Sequence, residues 1–177
     1  MFNKILVAID HSPVNKQVFD QGLALAKADQ ANLILLHVLS NEEADIPLLS
    51  PYFVQHQDRC LHDEPPIMQL GNEVYGQERS DVKQQGIKLL RSFAEKAMYA
   101  NNYTNSAIAT GIATEFSQIT GHPSSTICEF AKSCQADLIV MGRRGYSGLK
   151  DIFLGNVSNY VVHHAPCSVL LVQPSMS

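Results

Sequence analysis

The segment that most constrains the fold of this chain runs from residue 136 to residue 171. It opens with the unbroken apolar run LIVM at 138–141, breaks at Gly142, and ends in a second apolar run, Ser168 to Val172. Between the two runs lie glycines in the spacing G-x-x-G-x9-G, followed by a stretch with helical spacing. A short continuous apolar run is typical of a strand that is buried on both faces of a sheet. Strand, glycine loop, helix and strand in this order indicate half of an α/β nucleotide-binding fold.

The first forty residues repeat this alternation. The apolar run ILVAI at 5–9 is followed by a helix start at Ser12-Pro13, where a capping hydroxyl precedes a proline suited to the first helical position. Near-helical spacing follows, and a second apolar run at 33–39 is interrupted only by His37. Two strands joined through one helix by short connections predict a parallel, right-handed β-α-β unit.

The middle of the chain is less regular. Apolar periodicity disappears from Ser40 to Ser80, a stretch far longer than an ordinary connection, and this predicts an insert at about 41–79. A helix is predicted to start near Ser80 because apolar residues with helical spacing begin again there. A weak third strand follows at 115–120, and Pro123 predicts the start of the next helix.

Together these elements predict a single α/β domain, residues 1–177, that carries the insert at about 41–79. The simplest architecture is a Rossmann-like, five-stranded parallel sheet in the order 3-2-1-4-5 with helices on both faces. In such sheets ligands bind beyond the carboxyl ends of the strands where the strand order reverses, here between strands one and four. Asp10-His11-Ser12 and the glycine loop follow these two strands, which predicts a ligand site at this edge of the sheet.

Composition limits the classes of partner. The chain has 17 acidic and 13 basic residues, for a net charge of −4, which argues against general nucleic-acid binding. No apolar run approaches the roughly 18 residues of a membrane-spanning helix. The first ten residues carry a single lysine before a strand-like run, unlike a secretory signal peptide, so we expect a cytoplasmic protein. The four cysteines include no C-x-x-C pair and are expected to be free thiols, with Cys128 and Cys167 acting as small buried hydrophobic residues.

The glycine loop has the chemistry of a phosphate site. Glycines let backbone N–H groups approach an anion that a Cβ atom would hold away, and the helix N-terminus at Gly155-Asn156 offers further donors. Arg143 and Arg144 add positive charge, although exposed arginines are more often solvated than bound to a ligand. The chain has neither a P-loop nor the G-x-G-x-x-G fingerprint after its first strand. The glycines by themselves are therefore compatible with either a turn or a phosphate loop.

The segment DLIVMGRRGYSGLKDIFLGNVSNYVVHHAPCSVLLV strongly resembles the closing segment of the universal stress protein family. The opening KILVAIDHSP and the run LILLHVL resemble that family's first two strands, so the resemblance covers residues 3–40 and 80–173. Members of the family that bind ATP carry G-x-x-G-x9-G followed by Ser or Thr. This chain has all three glycines and so resembles the ATP-binding branch, but Asn156 takes the place of the hydroxyl residue. Because the Asn156 amide and the backbone N–H groups can still donate to a phosphate, the substitution is expected to weaken or reroute the phosphate contact rather than abolish it.

The resemblance implies a set of nucleotide-contacting residues. Adenine and ribose would lie beside Ala8, Ile9, Asp10, Val38, Met141 and Gly142, and the phosphates beside Arg144, Gly145, Gly155, Asn156, Val157 and Ser158. Asp10 would face a magnesium ion through water or the phosphates, or would instead cap its own loop, and both interpretations fit an aspartate at this position. No catalytic residue is implied.

The resemblance further implies an adenine-nucleotide-binding stress-response or signalling protein that senses ATP or AMP and acts through a dimer and an unknown protein partner. A homodimer would form through the last strand, Cys167 to Val172, whose apolar edge would otherwise stay uncovered. Two alternatives stay open, a slow ATPase and a structural dimer that has lost nucleotide binding at Asn156. The insert at about 41–79 follows strand two on the ligand side and is expected to form a lid or a partner surface.

Overall fold

The computed structural model describes residues 1–40, 66–102, 112–143 and 156–173, with the backbone alone for 66–79, 101 and 102. Strands and helices alternate along these residues. In chain order they are β1 Lys4–Ala8, α1 Asn15–Asp29, β2 Asn32–Leu39, α2 Pro66–Asn102, β3 Thr114–Thr120, α3 Pro123–Cys134, β4 Leu138–Gly142, α4 Asn156–His164 and β5 Ser168–Val172.

The five strands form one sheet in the order β3-β2-β1-β4-β5, and every neighbouring pair is parallel. The predicted order 3-2-1-4-5 is therefore confirmed. The central strand β1 lies between β2 and β4, with Val7 opposite Leu35 on one side and Val140 on the other. The sheet reverses its order at β1 and β4, which is where a ligand site is expected in this architecture.

Apolar side chains fill both faces of the sheet, as the unbroken apolar runs predict. On one face Val7 belongs to a buried cluster that includes Phe19 of α1 and Phe93 of α2, whose ring centroids lie 4.6 Å apart. On the other face Leu6 belongs to a second buried cluster, which includes Ile127 of α3 and Val161 of α4. Within the described residues, two helices therefore cover each face.

Helix α1 lies very close to the central strand at Gly22. A Cβ atom added to this glycine would lie 2.5 Å from Cγ2 of Val7, well inside the distance at which carbon atoms meet. Gly22 is itself buried in the middle of α1. The absence of a side chain at this residue therefore sets how closely α1 packs on the sheet.

The start of β1 is fixed to the start of β4 by a carboxylate. Oδ2 of Asp137 accepts hydrogen bonds from the backbone N–H groups of Asn3 and Lys4, at 2.8 and 2.9 Å. These donors hold the pKa of Asp137 below its ordinary value. Oδ2 of Asp29 accepts a similar bond from the N–H of Phe2 at 2.7 Å, so two carboxylates tie the N-terminal residues to the domain.

The expectation of a helix starting near Ser80 was wrong, because α2 begins at Pro66 and spans 37 residues. Residues 66–79 of the predicted insert at 41–79 are therefore helical, while residues 41–65 lie outside the described residues. Extending a helix costs far less free energy than starting one. The segment that contains Gly71 and Gly76 can therefore join the helix that the residues after Ser80 form. Periodicity alone underestimates a helix extended in this way.

Two other boundaries differ from the sequence prediction. Helix α1 begins at Asn15, not at Pro13, and Val14 at its N-cap position makes no side-chain capping bond. The carbonyl of Ser12 instead accepts the N–H of Asn15 at 3.1 Å, so the Ser-Pro pair forms a turn before the helix. Strand β5 begins at Ser168, one residue after the predicted start of the last strand.

The cysteines that the structure describes are free thiols, as predicted. Cys128 and Cys167 are half-buried and pack against the cluster around Ile127, and burial raises the pKa of both thiols. Cys60 lies outside the described residues. Among the helices that the structure describes, none combines the length and the apolar character needed to span a bilayer.

Candidate nucleotide-binding site

The chain leaves β1 and β4 at neighbouring points of one sheet edge. Beyond β1, the N–H of Ile9 still donates to the carbonyl of Leu36 at 2.8 Å. Beyond β4, the N–H of Arg143 donates to the carbonyl of Val172 at 2.9 Å. Because β1 and β4 are parallel neighbours with Val7 opposite Val140, Ile9 and Gly142 lie side by side at this edge. This is the ligand edge that the strand order predicts.

The loop after β1 is held in shape by its own polar groups. Oδ1 of Asp10 accepts the N–H of Ser12 at 3.0 Å, and the side-chain amide of Asn15 donates to the carbonyl of Asp10 at 3.0 Å. Asp10 therefore caps its own loop, which was one of the two interpretations of this residue. A carboxylate has two oxygens, so a contact with a ligand or with magnesium is compatible with this role and stays a prediction.

Gly142, at the end of β4, meets nothing among the described residues that requires it to be glycine. A Cβ atom there would lie 3.5 Å from Cγ2 of Val18, an ordinary van der Waals contact, and its backbone conformation is one that other residues adopt. The contrast with Gly22 is direct, because a Cβ atom at that position would collide with the sheet. Packing within the described residues therefore explains the glycine at residue 22 but not the glycine at residue 142.

Four predicted site residues pack on one face of the sheet. Met141 is 5% exposed and belongs to the cluster on the α3 and α4 face, and Ala8, Val38 and Val157 pack against that cluster as half-buried residues. Ile9 is buried on the opposite face, since successive side chains of an extended chain point to opposite sides. Ile9 can therefore reach a ligand on the α3 and α4 face only through its backbone.

The first turn of α4 carries the remaining described site residues. Asn156 is exposed at the first helical position, Val157 is half-buried, and Ser158 is buried at 2% exposure. The first N–H groups of a helix have no partner within the helix, so this turn presents donors near its N-terminus. The other predicted residues lie outside the described residues: Arg144, Gly145 and Gly155.

A polar cluster beside this edge was missed by the sequence analysis. His37 of β2 is 2% exposed, its ring lies 5.2 Å from that of His11 in an edge-on contact, and it is in register with Gln118 of β3. The histidine that interrupts an otherwise apolar strand was the one visible signal. Within the part of the chain that the structure describes, no group of three His, Cys, Asp or Glu side chains is arranged to hold a metal ion.

The comparisons with known proteins agree on one family. The sequence model of the universal stress protein family matches residues 1–173. A universal stress protein of Bacillus subtilis is 35% identical over 173 residues, which cover 98% of this chain and 100% of that protein. One from Synechocystis is 30% identical over 174 residues, covering 97% and 98% of the two chains.

Solved structures of the same family share the fold. A universal stress protein in complex with cAMP superposes with a TM-score of 0.58 at 20% identity, covering 97% of each chain. A universal stress protein family member from Arabidopsis thaliana with AMP bound gives a TM-score of 0.55 at 21% identity, covering 98% of this chain and 92% of that one.

Proposed function

The chain belongs to the universal stress protein family, whose members are stress-response proteins, and from this premise we propose that it binds an adenine nucleotide at the carboxyl ends of β1 and β4. In this proposal the protein is a cytoplasmic nucleotide sensor that signals through its dimer and through a protein partner. ATP and AMP are the nucleotides proposed, with magnesium accompanying ATP.

The observation that carries this proposal is a glycine at residue 142 that the described packing does not require. Neither packing nor backbone conformation within the described residues requires glycine there. A close backbone approach to a phosphate or ribose does require it, because a Cβ atom would hold the ligand away. Two structures with this fold were solved with cAMP or AMP bound, which favours an adenine nucleotide as the class of ligand.

The described residues offer apolar contacts suited to the base of an adenine nucleotide and backbone donors suited to its phosphates. Met141, Val38 and Ala8 offer apolar contact on one face of the sheet, suited to a base. The N–H groups at Asn156 and Val157 open a helix, and a helix N-terminus favours phosphate. Arg144, Gly145 and Gly155 complete the phosphate side in the proposal, and Ser158 supports the first turn of α4 from inside.

The dimer is proposed to form through β5. This strand is the last of the sheet, and within the described residues it pairs with β4 alone. Its apolar residues are only half-buried except for Val172 at the end, which is buried. A second copy of the chain pairing along β5 would cover both the apolar side chains and the unused backbone groups.

Calorimetric titration with ATP, AMP and cAMP, with and without magnesium, tests the proposal. The unaltered protein is expected to bind with micromolar affinity, and Gly142→Val is expected to lower the affinity at least about tenfold, since a clash with a bound ligand costs more than 1.4 kcal/mol. Ser133→Ala is the matched control, because it removes an exposed hydroxyl near the far end of α3. Urea unfolding of each variant shows that the fold is retained.

Two results would contradict the proposal. If the unaltered protein bound none of the three nucleotides, the chain would be a structural member of its family. If Gly142→Val bound ATP as well as the unaltered protein does, the glycine would have no role in the site. A parallel assay of phosphate release distinguishes a sensor, which binds without turnover, from a slow ATPase.

A further inference from the structure

The polar cluster beside the proposed site connects the loop after β1 to the long helix α2. The ring of His11, in that loop, contacts the ring of the buried His37 edge-on, at a centroid distance of 5.2 Å and an interplanar angle of 73°. His37 lies in register with Gln118 on the neighbouring strand. Both reach the helix at one residue, Gly86, which is buried in α2.

Gly86 lets α2 lie directly on these two side chains. A Cβ atom at this residue would lie 2.8 Å from Oε1 of Gln118, 2.8 Å from Nδ1 of His37 and 2.9 Å from Cε1 of His37. No ordinary side chain fits at such distances, so the helix approaches only because residue 86 has none. The contact joins polar atoms to a helix backbone, whereas the neighbouring contacts of α2, such as that of Leu90, are apolar.

The side-chain amide of Gln118 is buried at this contact. Its Oε1 and Nε2 atoms are both buried, and neither has a hydrogen-bond partner among the described residues. A buried amide without partners is unfavourable, and such groups in native structures mark strained or functional positions. The terminal torsion of glutamine has a broad, roughly two-fold preference, so the amide can place either its oxygen or its nitrogen toward His37.

We propose that His11, His37, Gln118 and Gly86 form a coupling path through which nucleotide binding at the sheet edge alters the packing of α2. The inference rests on the proposed function, since His11 directly follows Asp10 of the proposed site. A ligand that moves the loop after β1 shifts the His11 ring, and the edge contact transmits that shift to His37. The Gln118 amide then changes orientation against Gly86, which gives the helix two packing states instead of a continuous range.

Hydrogen–deuterium exchange tests the path in the intact protein. ATP is expected to change the exchange rate of amides around Gly86 by at least about fivefold, the lower end of typical coupling factors. The amides of α3, Pro123–Cys134, are the internal control, because this helix packs on the other face of the sheet. Equal changes in α2 and α3 would show general stabilisation and would overturn the coupling path.

Two substitutions of His11 separate the path from a direct ligand contact. His11→Phe retains a ring against His37 and is expected to retain the response of α2 to ATP. His11→Ala removes the ring and is expected to bind ATP while α2 no longer responds. Loss of ATP binding in His11→Ala would make the residue a ligand contact, and an unchanged response of α2 in that variant would exclude the ring contact as the link. Either outcome overturns the proposal.

The reverse direction supplies a second test, because coupling between two sites is reciprocal. Gly86→Ala forces α2 away from Gln118 and His37 and is expected to change ATP affinity by at least about fivefold, although residue 86 lies outside the proposed nucleotide contacts. The matched control is Gln85→Ala, an exposed neighbour on the same helix, which is expected to leave affinity unchanged. Equal affinities in the two variants would overturn the path.

The failures of the two proposals are distinguishable. If the unaltered protein binds no adenine nucleotide, the proposed function fails and the coupling path fails with it. If it binds ATP while the exchange of α2 stays the same, the proposed function stands and only the coupling path fails.

Discussion

Replacing Gly22 by alanine sets two opposing effects against each other. Alanine in a helix interior is favoured over glycine by about 1 kcal/mol, so α1 considered alone would become more stable. The added Cβ atom, however, would lie 2.5 Å from Cγ2 of Val7. An ordinary carbon–carbon contact needs about 3.5–4.0 Å, so α1 or Val7 would have to move by at least about 1 Å.

The surroundings of Val7 leave little room for that movement. Its side chain is fully buried, and its backbone is held between Leu35 and Val140 on the two neighbouring strands. Overpacking a dense core costs about 1–3 kcal/mol, and this rigid site lies in the upper half of that range. Subtracting the gain in helix propensity leaves a net destabilisation of about 1–2 kcal/mol, or about 2–8 °C in melting temperature for a domain of this size.

Urea unfolding measures helix propensity and overpacking separately. The four variants needed are Gly22→Ala, Ala24→Gly, Val7→Ala and the double variant of Val7→Ala with Gly22→Ala. Ala24→Gly, at an exposed position of the same helix, gives the propensity difference alone. In a Val7→Ala background the γ carbons are gone, so Gly22→Ala should become stabilising by up to about 1 kcal/mol even though Val7→Ala itself costs about 2 kcal/mol. If Gly22→Ala stabilised the unaltered protein, or acted equally in both backgrounds, the close contact would not limit the packing of α1.

Other predictions concern the pKa shifts and the aromatic contact. Because its folded pKa is below the unfolded value, Asp137 stabilises the fold above about pH 4 and loses this effect as the pH falls through the folded pKa. Asp137→Asn should therefore lower the free energy of unfolding by about 1 kcal/mol at pH 7, after allowance for solvent screening, and by less at pH 3. Equal losses at the two pH values in urea unfolding would contradict this. Phe19→Ala should lower the free energy of unfolding by about 3–5 kcal/mol. A double-mutant cycle with Phe93 should give a coupling energy of about 0.5–1.5 kcal/mol. Strict additivity of the two substitutions would show that the ring contact contributes nothing beyond burial. Burial raises the pKa of the Cys128 and Cys167 thiols, so both should react more slowly with iodoacetamide at pH 7.5 in the folded protein than in urea. Mass spectrometry measures the two rates, and a faster reaction in the folded state would contradict the prediction.

The strand order was predictable because the apolar runs carry strong physical meaning. A parallel sheet covered on both faces needs unbroken apolar strands, and the runs at 5–9, 33–39 and 138–141 cannot be placed at a solvated edge. The helix boundaries were harder. The Ser12-Pro13 pair has the chemistry of a helix start but forms the preceding turn, in which the carbonyl of Ser12 accepts the N–H of Asn15.

The candidate site was predictable in part for similar reasons. Ala8, Val38 and Met141 share one face because strands alternate their side chains, and the same alternation places Ile9 on the other face. The contact of His37 with Gln118 could not be read from the sequence. It depends on the register of β2 against β3, and β3 has only a weak strand pattern of its own.

The place of β1 in the middle of the sheet has a consequence for synthesis. Among the described strands β1 is synthesised before both of its neighbours, and its partner β4 follows about 130 residues later. At about 5–20 residues per second, the second edge of β1 has no native partner for roughly 7–26 seconds on each ribosome. During that interval the nascent chain exposes an apolar strand edge that the finished protein never shows.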